Sequence, residues 1–453
     1  MTSLWRNLQY VTWLVSDTSK GLAATLFGFA IPLIALFVTN DPAQAGIIGG
    51  VGVALRVTLT LVGGVLADRH RRITLMLLGA VIGVVLAGAF TLLAAGDALT
   101  FGSLLVIDAL LAVRTGLFDT AGEAALKDIV SADTMGRAMA ANQARDAAML
   151  LVGGPLGGAL LVVGGWLVGA VMALCHLLSA VTAWLIPRLP GAAARSDAPG
   201  AGADAVAGAD ADAGVAPSGS PPATDAAVRA TRPNALREVR EGFAWLFSRP
   251  DLRGVLLILT IINLGINTVM TTIVYSLQQD GHSPAVIGWM SAGMGVTMLA
   301  GALLASPIVS RVGAGSLMMI GLVALALGSA ATVFVRDPLW IVLVMTLPNL
   351  MLAPVNAAMG GYFMVATPSA LMGRASSASG VFGMGAMPLA PLIAGFGLSW
   401  LDRSGTILIG VGLCAIAALL AVTSRHLRLL PAEAGWAAHA RRFEHVPLPA
   451  SVS

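Results

Sequence analysis

The chain has 453 residues, of which 57% are hydrophobic and 11% charged; its net charge is +3 and its mean hydropathy is +0.86. Because one core cannot bury so much apolar surface, this composition excludes a water-soluble globular protein. A bilayer core about 30 Å thick needs roughly 20 apolar residues per helix. Since lipid offers no hydrogen-bond partners to open sheet edges, we predict an all-α membrane protein.

Twelve apolar stretches long enough to span a membrane follow one another along the chain. We predict spans at residues 21–39, 44–66, 74–95, 101–122, 138–163, 165–186, 254–277, 285–308, 315–335, 339–363, 376–400 and 405–424. Basic residues concentrate in alternate loops, for example from Arg69 to Arg72 and from Arg188 to Arg253. By the positive-inside rule, both termini and the central linker are expected in the cytoplasm.

The composition divides the chain into four parts, which we predict to be 1–187, a six-helix half; 188–233, a flexible cytoplasmic linker; 234–425, a second half with a preceding surface helix; and 426–453, a cytoplasmic tail. The linker is rich in Ala, Gly, Pro, Asp and Ser, and such a segment buries too little apolar surface to fold. After the linker, apolar residues recur at helical spacing over 236–247. This pattern fits an amphipathic surface helix or a simple cap before the next span.

The two halves repeat one another in sequence. Pro42, Gly46 and Arg69 match Pro284, Gly288 and Arg311 at one constant offset. Farther along, Met135-Gly-Arg-Ala recurs as Met372-Gly-Arg-Ala, and at that second offset Asp119 lies opposite Asn356 and Arg114 opposite Met351. Six helices plus six in the same order is a parallel duplication, which in transporters places the substrate site between the halves near the midplane.

These residues resemble the major facilitator superfamily over nearly the whole chain. Gly64-x-Leu-Ala-Asp68-Arg69-x-x-Arg72 is similar to the family's loop signature, although Arg71 replaces its second glycine. The stretch from Arg114 to Ala121, continued by Gly136-Arg137-Ala138, is similar to a bacterial subgroup of drug and siderophore exporters. The resemblance implies twelve helices in two pseudo-symmetric halves, transport by rocking of those halves, and location in a bacterial inner membrane.

The loop signature carries the expected gating residues. The resemblance implies that the acid of this signature contacts the eleventh helix and neighbouring arginines and so latches one conformation. We therefore assign gating to Gly64, Asp68, Arg69, Arg72, Arg137 and Arg374. The alternative is that the arginines only determine topology.

A run of glycines marks the fifth span. Gly153-Gly154-Pro155-Leu-Gly157-Gly158 resembles an antiporter signature but is one residue tighter. Gly154 and Gly158 would allow a neighbouring helix to approach closely, and Pro155 can kink the helix. Packing alone also explains the pattern, so the antiporter meaning stays open.

Ionisable residues inside predicted spans are the strongest site candidates, because each costs at least about 2.5 kcal/mol on an isolated helix. We place Arg56, Asp108, Arg114, Asp119 and Asp146 in the substrate and proton pathway. Protonation of one of these acids is a candidate coupling event. Structural pairing, such as Asp119 with a nearby base, is an equally good interpretation. The bases of the first half also favour an anionic substrate over a cationic drug.

The second half contributes polarity without charge. Asn263 and Asn267 lie one helical turn apart, and Asn349 and Asn356 lie two turns apart, so each pair can project amides into a cavity. We assign Asn263, Asn267 and Asn356 to the same pathway. Helix bridging by these asparagines is the alternative.

The residues and the resemblance together predict a secondary active transporter, a proton-coupled exporter of a small amphipathic organic molecule. Importers, uncoupled facilitators and non-transporting sensors or scaffolds remain alternatives. No motif of an enzyme, a nucleotide-binding loop, a metal site or a nucleic-acid patch stands out, so we expect no catalysis, no cofactor and no nucleic-acid partner. The expected partners are the substrate, protons and the bilayer, and the expected state is a monomer.

Overall fold

The protein is described here by a computed structural model, which describes residues 4–130, 132–188, 235–368 and 371–443, with the backbone alone at residues 68, 132, 133 and 235–241. The predicted linker lies outside the described residues except for Arg188. Twelve segments among the described residues are long and apolar enough to cross a membrane. The prediction of an all-α, twelve-span membrane protein is confirmed.

Six helices form the first half. They are α1 (Leu8–Thr39), α2 (Pro42–Arg69), α3 (Arg72–Ala95), α4 (Phe101–Ile129), α5 (Ala132–Val163) and α6 (Gly165–Leu185). The first helix begins well before the predicted span because the Asn7 side chain accepts hydrogen bonds from the amides of Gln9 and Tyr10. This earlier start brings Asp17 and Lys20 inside the helix.

The second half begins with a short helix and contains one interrupted span. Its helices are α7 (Ala235–Ser248), α8 (Pro250–Gln279), α9 (Pro284–Arg311), α10 (Ala314–Ala331), α11 (Pro338–Ala366), α12 (Met372–Gly385), α13 (Leu389–Trp400) and α14 (Asp402–Thr423). The predicted span 376–400 is divided between α12 and α13. The break covers residues 386–388 and includes Pro388, whose ring and missing N–H disfavour a continuous helix.

The helix bounds show the sequence repeat directly. The helices α2 and α9 both have 28 residues and begin 242 positions apart in the sequence. The helices α4 and α11 both have 29 residues and begin 237 positions apart. The two offsets between matching residues in the sequence are therefore also the offsets between the corresponding helices of the two halves.

The halves meet most closely at one end of the bundle, which we call the far end because the described N- and C-terminal residues lie at the other. There α2 packs on α13, and α5 packs on α9. The side chain of Gln278 on α8 donates a hydrogen bond to the Leu33 carbonyl of α1 at 2.7 Å. The seam between the halves is closed at the far end in this conformation.

The described part of the tail packs on the second half. After α14 the chain forms α15 (Arg425–Arg428) and α16 (Trp436–Arg441). The amide of Ala314 donates to the Pro431 carbonyl at 3.0 Å, and Trp436 packs against Gly361 of α11. The tail therefore belongs to the folded second half at least to Phe443.

A buried ion pair holds the beginning of α8. The guanidinium of Arg249 donates two hydrogen bonds to the Asp251 carboxylate, at 3.0 and 2.9 Å, and the Tyr362 hydroxyl donates to Asp251 Oδ2 at 2.6 Å. Arg249 is 3% exposed and Asp251 is fully buried. Since every charge in this group is paired, the group fixes α8 against α11.

Candidate functional site

Charged side chains from three helices of the first half meet in one cluster. Asp17 and Lys20 come from α1, Arg114 and Asp119 from α4, and Arg145 and Asp146 from α5; we call these six residues the ionic cluster. Three acids and three bases make the cluster neutral as a whole. Lys20, Arg114 and Arg145, three of the four bases that favoured an anionic substrate, are thus paired with acids, whereas the fourth, Arg56, lies outside the cluster.

Asp17 is the central acid of the ionic cluster. One carboxylate oxygen lies 2.8 Å from Lys20 Nζ, and the other lies 2.7 Å from Arg145 Nη1. The Asp17 side chain is only 6% exposed, against 53% for Asp146, which binds the same arginine at 2.9 Å. Because two bases depend on one buried carboxylate, Asp17 holds α1 and α5 together.

Arg114 and Asp119 form the α4 part of the cluster. Arg114 is 3% exposed, and its Nη2 lies 3.5 Å from Asp119 Oδ1 and 3.1 Å from Thr115 Oγ1. Lys20 Nζ lies 3.9 Å from the same Asp119 oxygen and donates to the Asp119 carbonyl at 3.1 Å. The structure thus places these two predicted site residues together and adds Lys20 to them.

The structure places Asp108 apart from the ionic cluster, against Gly52 of α2. A Cβ atom on Gly52 would overlap the Asp108 carboxylate, so a side chain there would force this carboxyl to move. Asp108 is 4% exposed, and its Oδ2 has no hydrogen-bond partner among the described residues. Arg56 lies one turn farther along α2 and is exposed.

Asp108 lies next to the seam between the halves. Gly49 is one helical turn from Gly52 on α2, and it packs against Pro391 of α13 and the hydroxyl of Tyr275 on α8. Both of these residues belong to the second half. Any movement that separates the halves here changes the surroundings of Asp108.

The glycines of α5 lie on the same seam. A Cβ on Gly154 would lie 2.9 Å from the Gly288 carbonyl oxygen of α9, and one on Gly158 would overlap the Pro284 carbonyl. Pro155 lies between them inside α5. The absence of side chains lets the two helices approach closely.

The asparagines of the second half line a cavity of about 500 Å³ between α8, α10, α11 and α12. Asn263, Asn267, Asn349 and Asn356 all belong to its lining. Asn263 Nδ2 donates to the Gly383 carbonyl at 3.1 Å, and Asn267 Nδ2 donates to the Asn263 carbonyl at 2.8 Å. Asn356 is exposed. The cavity lies within the second half rather than on the seam.

The predicted gating residues take different positions. Arg72 donates to the Ala124 carbonyl at 2.9 Å and binds Asp128 at 2.8 Å, so it links α3 to the end of α4 within one half. Arg69 and Arg137 are exposed, and Gly64 has open space where a side chain would be. The side chain of Asp68 lies outside the described residues.

Arg374 lies near the beginning of α12, where α7 packs on it. A Cβ on Gly242 of α7 would overlap the Arg374 carbonyl, so the two helices are in close contact. The predicted amphipathic helix thus packs on α12, with Trp245 and Leu246 buried.

The sequence did not lead us to assign Asp17, Lys20, Arg145 or Tyr275 to the pathway, although Lys20 and Arg145 were among the bases that favoured an anionic substrate. Asp17 and Lys20 precede the predicted first span because their charges lower the local hydropathy. A helix wheel continued back from that span to Asp17 would have placed both charges on the membrane helix. Nothing in the sequence alone brings Tyr275 to Asp108, because that proximity depends on how the halves dock.

Comparison with known proteins identifies the fold. No curated protein sequence matches the chain. Among solved structures, a bacterial homologue of the iron transporter ferroportin has a TM-score of 0.66 at 14% identity, covering 93% of this chain and 99% of that one.

Two further structures agree. A D-xylose–proton symporter has a TM-score of 0.62 at 13% identity, covering 92% of this chain and 98% of that one. The nucleoside transporter NupG has a TM-score of 0.60 at 16% identity, covering 91% of this chain and 98% of that one.

The sequence profile described as Major Facilitator Superfamily matches residues 18–259 and 255–449. The chain therefore belongs to the Major Facilitator Superfamily.

Proposed function

We propose that the protein is a secondary active transporter that exports a small amphipathic organic molecule in exchange for protons. It works by alternating access in a bacterial inner membrane, as a monomer with both termini in the cytoplasm. Export is proposed from the resemblance of the fourth span to exporters, and exchange from the resemblance of the fifth span to an antiporter signature. The solved relatives include a D-xylose–proton symporter, so proton coupling occurs within this fold.

The position of Asp108 is the observation that carries proton coupling. Its buried carboxyl oxygen lacks a hydrogen-bond partner among the described residues, and it lies beside a seam that must open for transport. A carboxyl buried in one conformation and hydrated in another binds protons differently in the two. Proton binding and opening are then linked, because a ligand shifts a conformational equilibrium by its differential affinity.

Proteoliposomes loaded with the pH-sensitive dye pyranine test this function. Addition of a panel of amphipathic compounds to wild-type protein is expected to move protons for at least one compound. Asp108→Asn is expected to keep exchange of that compound across the membrane and to lose the proton movement. The matched variant Asp97→Asn, which alters an exposed acid in the loop between α3 and α4, is expected to keep both.

The sign of the proton movement also distinguishes antiport from symport. Protons leaving the lumen against the compound's entry indicate an antiporter, whereas protons entering with the compound indicate a symporter. Unchanged proton movement in Asp108→Asn would eliminate this acid as the coupling group. Absence of flux for every compound would favour a sensor or scaffold.

A further inference from the structure

The ionic cluster and the asparagine cavity occupy equivalent places in the two halves. Around the ionic cluster, Met76 and Gly79 of α3 line a small cavity, and the residues 242 positions later, Met318 and Gly321, line the asparagine cavity. The identities agree at both positions, methionine with methionine and glycine with glycine.

The same correspondence extends to the charged residues. Arg114 and Asp119 lie 237 positions before Met351 and Asn356, which both line the asparagine cavity. The helices α1 and α8 begin 242 positions apart, and this offset places Lys20 opposite Ile262, another lining residue. Charged side chains of the first half are thus replaced by apolar or amide side chains in the second.

The replacement changes the available space. The ionic cluster leaves a cavity of about 10 Å³, which is room for a single water molecule. The equivalent place in the second half has about 500 Å³, within the range of sites for small organic ligands. Long, paired charged side chains fill this position in the first half, whereas shorter side chains leave the equivalent position in the second half open.

The lining of the larger cavity defines the chemistry that it accepts. It contains Leu, Ile, Val and Met together with four asparagines, and its described members include no Asp, Glu, Lys, Arg or His. Tyr362 also lines it, but the Tyr362 hydroxyl is committed to Asp251. An ionised ligand would lose its hydration here without gaining a counter-charge, so the cavity selects against charge.

Hydrogen-bonding capacity remains inside this cavity. The Nδ2 group of Asn349 is buried and has no hydrogen-bond partner among the described residues. The amide nitrogens of Asn263 and Asn267 donate to backbone carbonyls, which leaves their side-chain oxygens as acceptors. Since an unpaired buried amide is costly, rotation of the Asn349 side chain that turns Nδ2 toward the cavity would let a ligand oxygen accept its hydrogen bond.

We propose that the asparagine cavity binds an uncharged, largely apolar organic molecule that carries at least one carbonyl, ether or hydroxyl oxygen. This inference rests on the proposed function, because it names the chemical class of the transported compound and places its site in one half. The ionic cluster fills the equivalent place in the other half, so we assign no second copy of this site there.

Radiolabelled progesterone is a suitable probe, because it is uncharged and apolar and carries two carbonyl acceptors. Scintillation proximity binding to the purified full-length protein in detergent is expected to be saturable. Leu259→Trp, which replaces a leucine of the cavity lining with a larger indole side chain, is expected to weaken binding at least ~10-fold. Asn349→Leu is expected to weaken it ~3-fold to ~10-fold, the effect of one net hydrogen bond.

The matched control is Leu257→Trp, an exposed position on the same helix, which should leave affinity unchanged. Taurocholate, a steroid with a negative charge, should not compete with progesterone. Unaltered affinity in Leu259→Trp, equal loss in Leu257→Trp, competition by taurocholate, or no saturable progesterone binding to wild type would each overturn the proposal.

The failure of this inference differs from failure of the proposed function. Proton movement with other compounds but no progesterone binding would remove the proposed cavity site and keep the exporter. Progesterone binding that shows these variant effects, without flux for any compound, would keep the site and remove the exporter.

Discussion

The two halves place opposite chemistry at equivalent positions. In the first half, Arg114 and Asp119 belong to a neutral cluster of six charged side chains that leaves almost no free volume. In the second half, Met351 and Asn356 line a cavity of about 500 Å³. The helix lengths are nevertheless the same, with 29 residues in both α4 and α11. Duplication therefore preserved the backbone while side-chain size and charge diverged.

This difference assigns separate tasks to the two halves. Paired charges in a membrane interior hold helices in register, because breaking a pair leaves an uncompensated charge. An apolar cavity with a few amides suits a ligand instead. In our proposal the first half carries proton coupling and the second half carries the compound.

The largest effect is expected when the central acid of the ionic cluster is removed. Asp17→Ala leaves Lys20 and Arg145 without their shared partner, and loss of one partner of a buried pair costs about 3–5 kcal/mol. We expect a marked fall in the thermal unfolding temperature of the purified protein. Asp146→Ala, which removes a half-exposed partner of the same arginine, should cost about 1 kcal/mol or less. Equal effects of the two changes would contradict the assigned importance of Asp17.

A charge introduced into the second half tests whether the asparagine cavity excludes charged groups. Met351→Arg copies Arg114 into the asparagine cavity without its partners, at a cost of at least about 2.5 kcal/mol. Progesterone binding should be lost, as measured by scintillation proximity. Adding Asn356→Asp supplies the counterpart of Asp119 and should recover part of the stability but not the binding. Retained binding in Met351→Arg would show that the cavity tolerates charge.

The interaction of Tyr362 with Asp251 in the second half should be stronger than that of Arg72 with Asp128 in the first half. Tyr362→Phe removes a hydrogen bond to the buried Asp251 carboxylate, and such bonds to charged groups contribute about 1.5–3 kcal/mol. Arg72→Gln disrupts a pair whose Asp128 side chain is 63% exposed, so a loss of about 1 kcal/mol or less is expected. Denaturation monitored by tryptophan fluorescence compares the two variants, and the reverse order would refute the contrast.

The smallest effect concerns the tail beneath the asparagine cavity. Burial, reinforced by the nearby Arg442, lowers the pKa of His439 below its ordinary value of 6.5. The undocked tail therefore binds a proton more readily than the docked tail, so docking is fully stable above the ordinary value and weakens as pH falls below it. After correction for the intrinsic pH dependence of amide exchange, the protection factors of residues 425–443 should fall at mildly acidic pH.

Two substitutions test whether His439 causes this pH effect, one at His439 itself and one at His70 as the control. His439→Phe keeps an aromatic ring beside Tyr362 and Phe443 and should abolish the pH dependence of these protection factors. His70→Phe, at an exposed loop position, should leave it unchanged. A pH dependence that persists in His439→Phe would assign the titration to another group.

Hydropathy and repeats were sufficient to predict the twelve spans and their pairing between halves, because membrane helices must be long and apolar. The same measure missed the start of α1, since Asp17 and Lys20 look too polar for a span until Arg145 and Asp119 neutralise them. The break at residues 386–388 was missed because its flanking residues are apolar. Cavities were also beyond prediction, because their volume depends on how side chains from distant helices pack.

The most direct test of separate tasks for the two halves measures binding and proton coupling in the same preparations of two variants. Progesterone affinity and progesterone transport driven by a pH gradient are determined for Leu259→Trp and Asp108→Asn in proteoliposomes. We predict that Leu259→Trp loses both, whereas Asp108→Asn keeps wild-type affinity and loses only the dependence on the pH gradient. Loss of affinity in Asp108→Asn together with normal affinity in Leu259→Trp would contradict the account.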